Sequence, residues 1–135
     1  MVHSTERLDT FFDSLKRPGS PNDWLVAPAD FVIKPDAVAP VFPVPAAALF
    51  ETFKSMVLQS KRITLIAQSE RALHVVATTS LLRFEDDVWA LFMPVAENEA
   101  TLALYSASRV GYWDVGTNRR RLTAWIERLR HSVMR

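Results

Sequence analysis

The chain has 135 residues and a formal net charge of +1, with 49% apolar and 23% charged residues. These values indicate one soluble globular domain, and the near-neutral charge argues against general nucleic-acid binding, which requires a basic face. The sequence contains no cysteine, which excludes disulfides, thiolate metal sites and cysteine nucleophiles.

The amino terminus predicts a short amphipathic helix between about Thr5 and Leu15, ended by Pro18 and Gly19. Its apolar stripe consists of Leu8, Phe11, Phe12 and Leu15. We favour packing of this stripe on the chain's own core, and contact with a protein partner or a membrane surface is the alternative.

No signal peptide is visible in the first residues, which lack a basic start followed by an apolar core. The longest apolar run, Ala37–Phe50, is too short to cross a bilayer and contains three prolines. We therefore expect a cytoplasmic protein without a membrane span.

Proline content divides the chain into three predicted zones. Residues 1–17 form the amphipathic helix, residues 18–45 form a proline-rich extended arm with seven of the eight prolines, and residues 46–135 form the core. Because proline lacks a backbone donor, we expect the arm to lie over the domain with one short edge strand near Phe31–Lys34.

The core zone predicts a helix, four strands and a second helix. Pro45 suits the first turn of the first helix, whose apolar stripe is Leu49, Phe50, Phe53, Met56 and Val57. The predicted strands are Ile63–Gln68, Ala72–Thr79, Phe84–Met93 and Ala100–Val110, and the last helix runs from about Val115 to Val133. This order predicts an α+β fold, with flanking helices packed on an antiparallel sheet of about four to five strands.

The segment SRVGYWDVGTNRRR, from Ser108 to Arg121, contains two of the three glycines and four arginines. We expect positive φ at Gly111, where the chain must turn, and an N-cap at Asp114. Gly116 then falls in the first helical turn, where glycine costs roughly 0.5–1 kcal/mol relative to alanine. A glycine at that cost suggests that another group approaches the backbone closely.

The same segment resembles the closing motif of the bacterial and plastid family catalogued as domain of unknown function 1499. The matching positions are Ser106, Ser108, Arg109, Gly111, Asp114, Gly116, Asn118, Arg119 and Arg121. Arg83–Val88 and Ser20–Asp23 resemble two further family segments, so the resemblance covers about Ser20 to Leu129. It implies a shared fold unit and supplies no activity.

Two interpretations of the arginines remain open. In the first, Arg109, Arg119 or Arg121 pairs with the acidic partners Asp86, Asp87 or Asp114 and locks the last helix to the sheet. In the second, the helix start and the arginines bind a phosphate or carboxylate. The ligand-binding residues in that hypothesis are Arg109, Gly111, Tyr112, Asp114, Gly116, Asn118, Arg119 and Arg121.

The sequence offers little else that indicates catalysis. Asp86 and Asp87 are adjacent on a strand and face opposite sides, so a carboxylate pair on one face would need Glu85 with Asp87. The common hydrolase, nucleotide-binding and metalloprotease motifs do not occur, the histidines His3, His74 and His131 are scattered, and we expect no metal and no cofactor.

We favour a non-enzymatic binding or interaction module for a small anionic ligand or an acidic group of a partner. One alternative is an enzyme of unknown class, for example a hydrolase, that uses Glu85 and Asp87 with Arg109. The other is a structural protein–protein interaction domain that acts through the N-terminal helix.

Overall fold

The computed structural model of the protein describes residues 8–18, 22–110 and 116–133. Its strands are β1 (Asp23–Ala27), β2 (Ala37–Val38), β3 (Ile63–Gln68), β4 (Ala72–Thr78), β5 (Glu85–Ala96) and β6 (Glu99–Ser108). Its helices are α1 (Ala46–Leu58) and α2 (Thr117–Val133), and a 3-10 turn occupies Phe11–Asp13.

The six strands form one sheet in the order β2-β1-β6-β5-β4-β3. The pairs β1–β6, β6–β5, β5–β4 and β4–β3 are antiparallel, and only β1–β2 is parallel. The predicted α+β class is confirmed, and the sheet has one more strand than the upper predicted number. The two strands beyond the four of the core zone, β1 and β2, come from the proline-rich arm.

The arm contributes a different strand from the predicted one. Residues 31–34 form no strand; β1 lies inside the sheet between β2 and β6, and β2 forms the edge. Asp23–Ala27 contains no proline and can donate to both neighbouring strands, whereas Lys34 directly precedes Pro35, which has no backbone N–H. Apolar side chains at Phe31 and Ile33 pack on the sheet without joining its hydrogen-bond ladder.

Both helices pack on the same face of the sheet, which we call the helix face. Every residue of the stripe predicted for α1 is buried, and Leu122, Trp125 and Leu129 of α2 are buried with it. They contact alternate residues of the central strands, including Phe92 and Leu104. This alternation follows from the two-residue period of a strand, and it also places Asp86, Val88 and Ala90 on the helix face.

The opposite face, which we call the arm face, is covered by the N-terminal segment. Leu8 and Phe12 are buried there against Leu25, Leu91 and Tyr105. The predicted helix is shorter than expected, because helical backbone at Leu8 and Asp9 gives way to the 3-10 turn, and Leu15 lies beyond it. Thr5 to Arg7 lie outside the described residues.

No helix in the described ranges is both long and apolar enough to span a membrane.

Candidate functional site

The described residues of the motif segment, 106–110 and 116–121, lie at one end of the sheet, which we call the motif end. Strand pairing places Ile63, Ala77, Asp86 and Ser108 side by side across β3, β4, β5 and β6. The backbone N–H of Ser108 donates to the carbonyl of Asn22, which extends this row to the start of β1. Helix α2 begins at the same end, since its first residues contact this row.

Asn118 is the centre of a buried hydrogen-bond network on the helix face. Its side-chain nitrogen donates to the carbonyl of Asn22 at 2.9 Å and to Oγ of Ser108 at 3.1 Å. Its side-chain oxygen accepts from Oγ of Ser106 and from Nη1 of Arg121. Since Asn118 and Ser106 are both fully buried, these motif positions join α2 to β1 and β6.

Arg121 forms a buried ion pair with Asp86. Nη2 of Arg121 lies 2.9 Å from Oδ2 of Asp86, and the two side chains are only 12% and 2% exposed. Oδ1 of Asp86 has no hydrogen-bond partner among the described residues. The buried carboxylate therefore depends on Arg121 for its charge compensation.

Asp87 and Arg109 form a second polar cluster on the arm face. The guanidinium of Arg109 donates to both oxygens of Asp87, at 2.8 and 3.1 Å, and to Glu85 at 3.2 Å. As predicted, Asp86 and Asp87 face opposite sides of the sheet. Pairing within the fold, one of the two interpretations of the arginines, is thus present for both Arg109 and Arg121.

The same cluster includes His74, whose Nε2 lies 2.8 Å from Oδ1 of Asp87. Burial alone would raise the pKa of Asp87, but hydrogen bonds from Arg109 and His74 outweigh burial and lower this pKa below its ordinary value. An ionised carboxylate can only accept, so Nε2 of His74 carries the shared proton. The ring of His74 stacks on Trp89, which in turn stacks on Phe11.

The participation of His74 was missed at the sequence level. In the β4–β5 hairpin Val76 pairs with Asp87 and His74 with Trp89, so His74 and Asp87 are diagonal neighbours on one face. The contact between His74 and Asp87 can be predicted only if the register of the β4–β5 hairpin is known. The length of the loop between the two strands does not determine that register.

A third polar group anchors the N-terminal segment, and it too was missed. Arg17 pairs with Asp23 at 2.9 Å and with Asp36, and the hydroxyl of Tyr105 donates to Asp23 at 2.8 Å. Burial and this hydrogen bond raise the pKa of Tyr105 above its ordinary value. The four residues are dispersed from position 17 to position 105, so no local pattern indicates the cluster.

Gly116 has a φ of +81° and directly precedes the first residue of α2. It therefore lies before the helix and not in its first turn as predicted, and its positive φ accounts for the glycine. Arg119 is exposed and places its guanidinium carbon 5.1 Å from the centre of the Trp24 ring. Gly111, Tyr112 and Asp114, with the predicted turn and N-cap, lie outside the described residues.

Three exposed cationic residues lie at the motif end, on the two adjoining loops that precede β3 and β5. Lys61 and Arg62 precede β3, and Arg83 precedes β5. Within the described ranges, none of their side chains forms an ion pair or a hydrogen bond. Arg62 and Arg83 both have positive φ, at 62° and 59°, which marks tight turns.

A cleft of about 480 Å³ lies between α1 and the β3–β4 hairpin, at the end opposite to the motif end. Phe50, Phe92 and Pro94 line its apolar part, and Lys54 and Gln68 line its edge. The amino group of Lys54 already donates to Gln68 and lies 3.5 Å from Glu51. No set of three or more potential metal-ligating side chains occurs in the part of the chain that the structure describes.

Comparison with known proteins gives one match. The family model described as protein of unknown function (DUF1499) matches residues 13–129. No curated protein and no solved structure is significantly similar to the chain. The match spans β1 to most of α2 and includes all three arginine–carboxylate clusters.

Proposed function

The chain belongs to the DUF1499 family of proteins of unknown function, and on that premise we propose that it is a non-enzymatic binding module that recognises an acidic group of a partner at the motif end. The recognition residues in this proposal are Lys61, Arg62 and Arg83. Arg109 and Arg121, for which the sequence left both internal pairing and ligand binding open, pair with carboxylates of the chain itself and are not recognition residues in this proposal.

The observation that carries the proposal is the distribution of charge at this end. Glu85, Asp86 and Asp87 each pair with Arg109 or Arg121 of the chain itself. The exposed cations on the α1–β3 and β4–β5 loops have no such carboxylate within the described residues. A surplus of positive charge therefore faces solvent in a protein whose net charge is only +1.

The two loops are close enough to act on one ligand. The carbonyl of Arg62 accepts from the N–H of Thr78, and the carbonyl of Phe84 accepts from the N–H of Thr79. Arg62 and Arg83 therefore flank the same end of β4, two strand spacings or roughly 10 Å apart. Long cationic side chains at that separation can contact one group with several negative charges.

A hydrolytic enzyme is the second candidate, and the His74–Asp87 hydrogen bond favours it, since an oriented imidazole can act as a general base. Two features argue against the enzyme and in favour of the binding proposal. The guanidinium of Arg109 already bonds both Glu85 and Asp87. The lowered pKa of Asp87 also keeps its carboxylate ionised, so it is a poor proton donor. Hydrolysis of a generic ester probe that is lost in His74→Gln would favour the enzyme.

Calorimetric titration with tripolyphosphate at constant ionic strength tests the binding proposal. Arg62→Gln/Arg83→Gln removes two of the three cations, and glutamine, like arginine, is unbranched at Cβ, so the positive φ is no more strained. We expect this variant to bind roughly fivefold or more weakly than the wild type.

Lys34→Gln/Arg128→Gln is the matched control, because both residues are exposed and lie on other elements, the arm before β2 and the later half of α2. It makes the same change in net charge, so a general charge effect would weaken binding equally in both variants. Equal weakening, or no binding by the wild type, would refute the proposal.

A further inference from the structure

Four large apolar side chains at the motif end face solvent. Leu81 is 86% exposed, Leu82 65%, Phe84 49% and Val110 62%. Asp86 pairs with Ser108, and the N–H of Arg109 donates to the carbonyl of Glu85. Phe84, which directly precedes β5, and Val110, which follows β6 by two residues, therefore lie at the same end of the sheet. We call these four residues the apolar tip.

The β4–β5 loop, which carries Leu81, Leu82 and Phe84 of the apolar tip, is tightly closed. The N–H of Thr79 donates to the carbonyl of Phe84, and the N–H of Phe84 donates back to Oγ1 of Thr79. Arg83 completes the turn with a φ of 59°. The loop is thus held in a defined shape that directs Leu81 and Leu82 outward, where they gain nothing from the protein's own core.

Arg83 lies on the same loop as Leu81, Leu82 and Phe84, and Lys61 and Arg62 lie on the adjoining loop before β3. Glu85 is the exposed acidic residue beside the apolar tip, and Glu85 lies 3.2 Å from Arg109. A protruding group of Leu and Phe side chains with cations on the same and the adjoining loop matches the surface of an anionic bilayer, where apolar groups enter the acyl boundary and cations contact headgroup phosphates. A protein pocket would match the apolar residues but would not by itself require these cations.

We propose that the apolar tip inserts into the surface of an anionic lipid bilayer while Lys61, Arg62 and Arg83 bind the headgroup phosphates. The inference rests on the proposed function, because it uses the same cations and identifies the acidic group as a lipid phosphate. Binding to a bilayer also requires Leu81 and Leu82, whereas binding of a soluble anion does not.

Flotation with two kinds of vesicle tests the inference, one of phosphatidylcholine alone and one in which phosphatidylserine is included. We expect the wild type to bind the mixed vesicles and to bind phosphatidylcholine about tenfold more weakly. Leu81→Ser/Leu82→Ser should reduce binding to the mixed vesicles by about tenfold or more and leave tripolyphosphate binding unchanged. Because both leucines are exposed, the variant should fold like the wild type. Thermal unfolding of the two proteins checks this.

Val32→Ser/Val38→Ser is the matched control, because these valines are 65% and 64% exposed but lie on the arm. It should bind the mixed vesicles like the wild type. The chain has no cysteine, so Ser80→Cys also provides a single labelling position beside the tip. An environment-sensitive dye there should shift to shorter wavelength with mixed vesicles, whereas a dye at Ser132→Cys should not.

Three results would overturn the inference. In the first, the wild type binds tripolyphosphate but not the mixed vesicles, which leaves the proposed function intact. In the second, Leu81→Ser/Leu82→Ser binds vesicles as well as the wild type. In the third, the wild type self-associates without vesicles and this variant does not, which would make the apolar tip a contact between two copies. Failure with both vesicles and tripolyphosphate would refute the proposed function as well.

Discussion

Arg121 on α2 reaches Asp86 on β5 through a buried ion pair with 2.9 Å between nitrogen and oxygen. The same guanidinium donates to Ser106 and Asn118, so one side chain joins the helix, β5 and β6. The arginine that the sequence placed at a candidate ligand site thereby holds α2 on the sheet.

Removing Arg121 should destabilise the protein strongly. Arg121→Ala leaves the carboxylate of Asp86 buried without its charge partner, which costs about 3–5 kcal/mol of unfolding free energy. Adding Asp86→Asn should recover part of that loss, because it removes the uncompensated charge. Denaturant unfolding measures both effects, with exposed Arg128→Ala as the control. If the double variant is no more stable than Arg121→Ala, the ion pair is not the cause.

Gly116→Ala should destabilise the protein by more than about 1 kcal/mol, because a non-glycine residue is strained at a φ of +81°. The added Cβ would also lie 2.9 Å from Nη1 of Arg120. That atom ends a flexible side chain, so Gly116→Ala/Arg120→Ala, measured against Arg120→Ala alone, should show nearly the same loss. A large recovery in the double variant would instead assign the cost to the side-chain contact.

Acid should weaken the contribution of Asp87 to stability. Its pKa is lower in the folded protein than in the unfolded chain, so its stabilisation is complete above the unfolded pKa of about 4 and is lost as the pH falls through the folded pKa. The stability difference between the wild type and Asp87→Asn should therefore shrink as the pH falls from neutrality to below about 4.

Urea unfolding at a series of pH values, with Asp13→Asn as an exposed control, measures this dependence. His74, Arg109 and Glu85 are the charged or titratable groups that face Asp87, directly or through Arg109. A pH-independent difference between the wild type and Asp87→Asn would show that the carboxylate charge does not contribute.

Phe12→Ala should cost about 3 kcal/mol or more, because it removes a buried aromatic ring. Phe12 is 3% exposed on the arm face and contacts Phe31 edge-on at a centroid separation of 5.5 Å. Asp13→Ala, next to it and exposed, should have little effect. Thermal and denaturant unfolding compare the two variants, and equal stability of Phe12→Ala and the wild type would mean that the N-terminal segment does not stabilise the domain.

Sequence patterns alone determined the class of the fold and the elements of the core. The bounds of β3 match the predicted strand, and the stripe of α1 is buried at every predicted position. The opposite facing of Asp86 and Asp87 was also predictable. These features follow from local periods of 2 and 3.6 residues, which leave a direct record in the sequence.

Tertiary structure alone decided where the arm strand lies and which charges meet. β1 pairs with β6 in a register that joins Asp23 to Ala107, and this pairing brings Asn22 to Asn118 and Asp23 to Tyr105. Likewise, only the β4–β5 register selects His74 as a partner of Asp87. Registers between distant strands depend on the packing of the whole sheet, so they leave no periodic trace near the residues that they bring together.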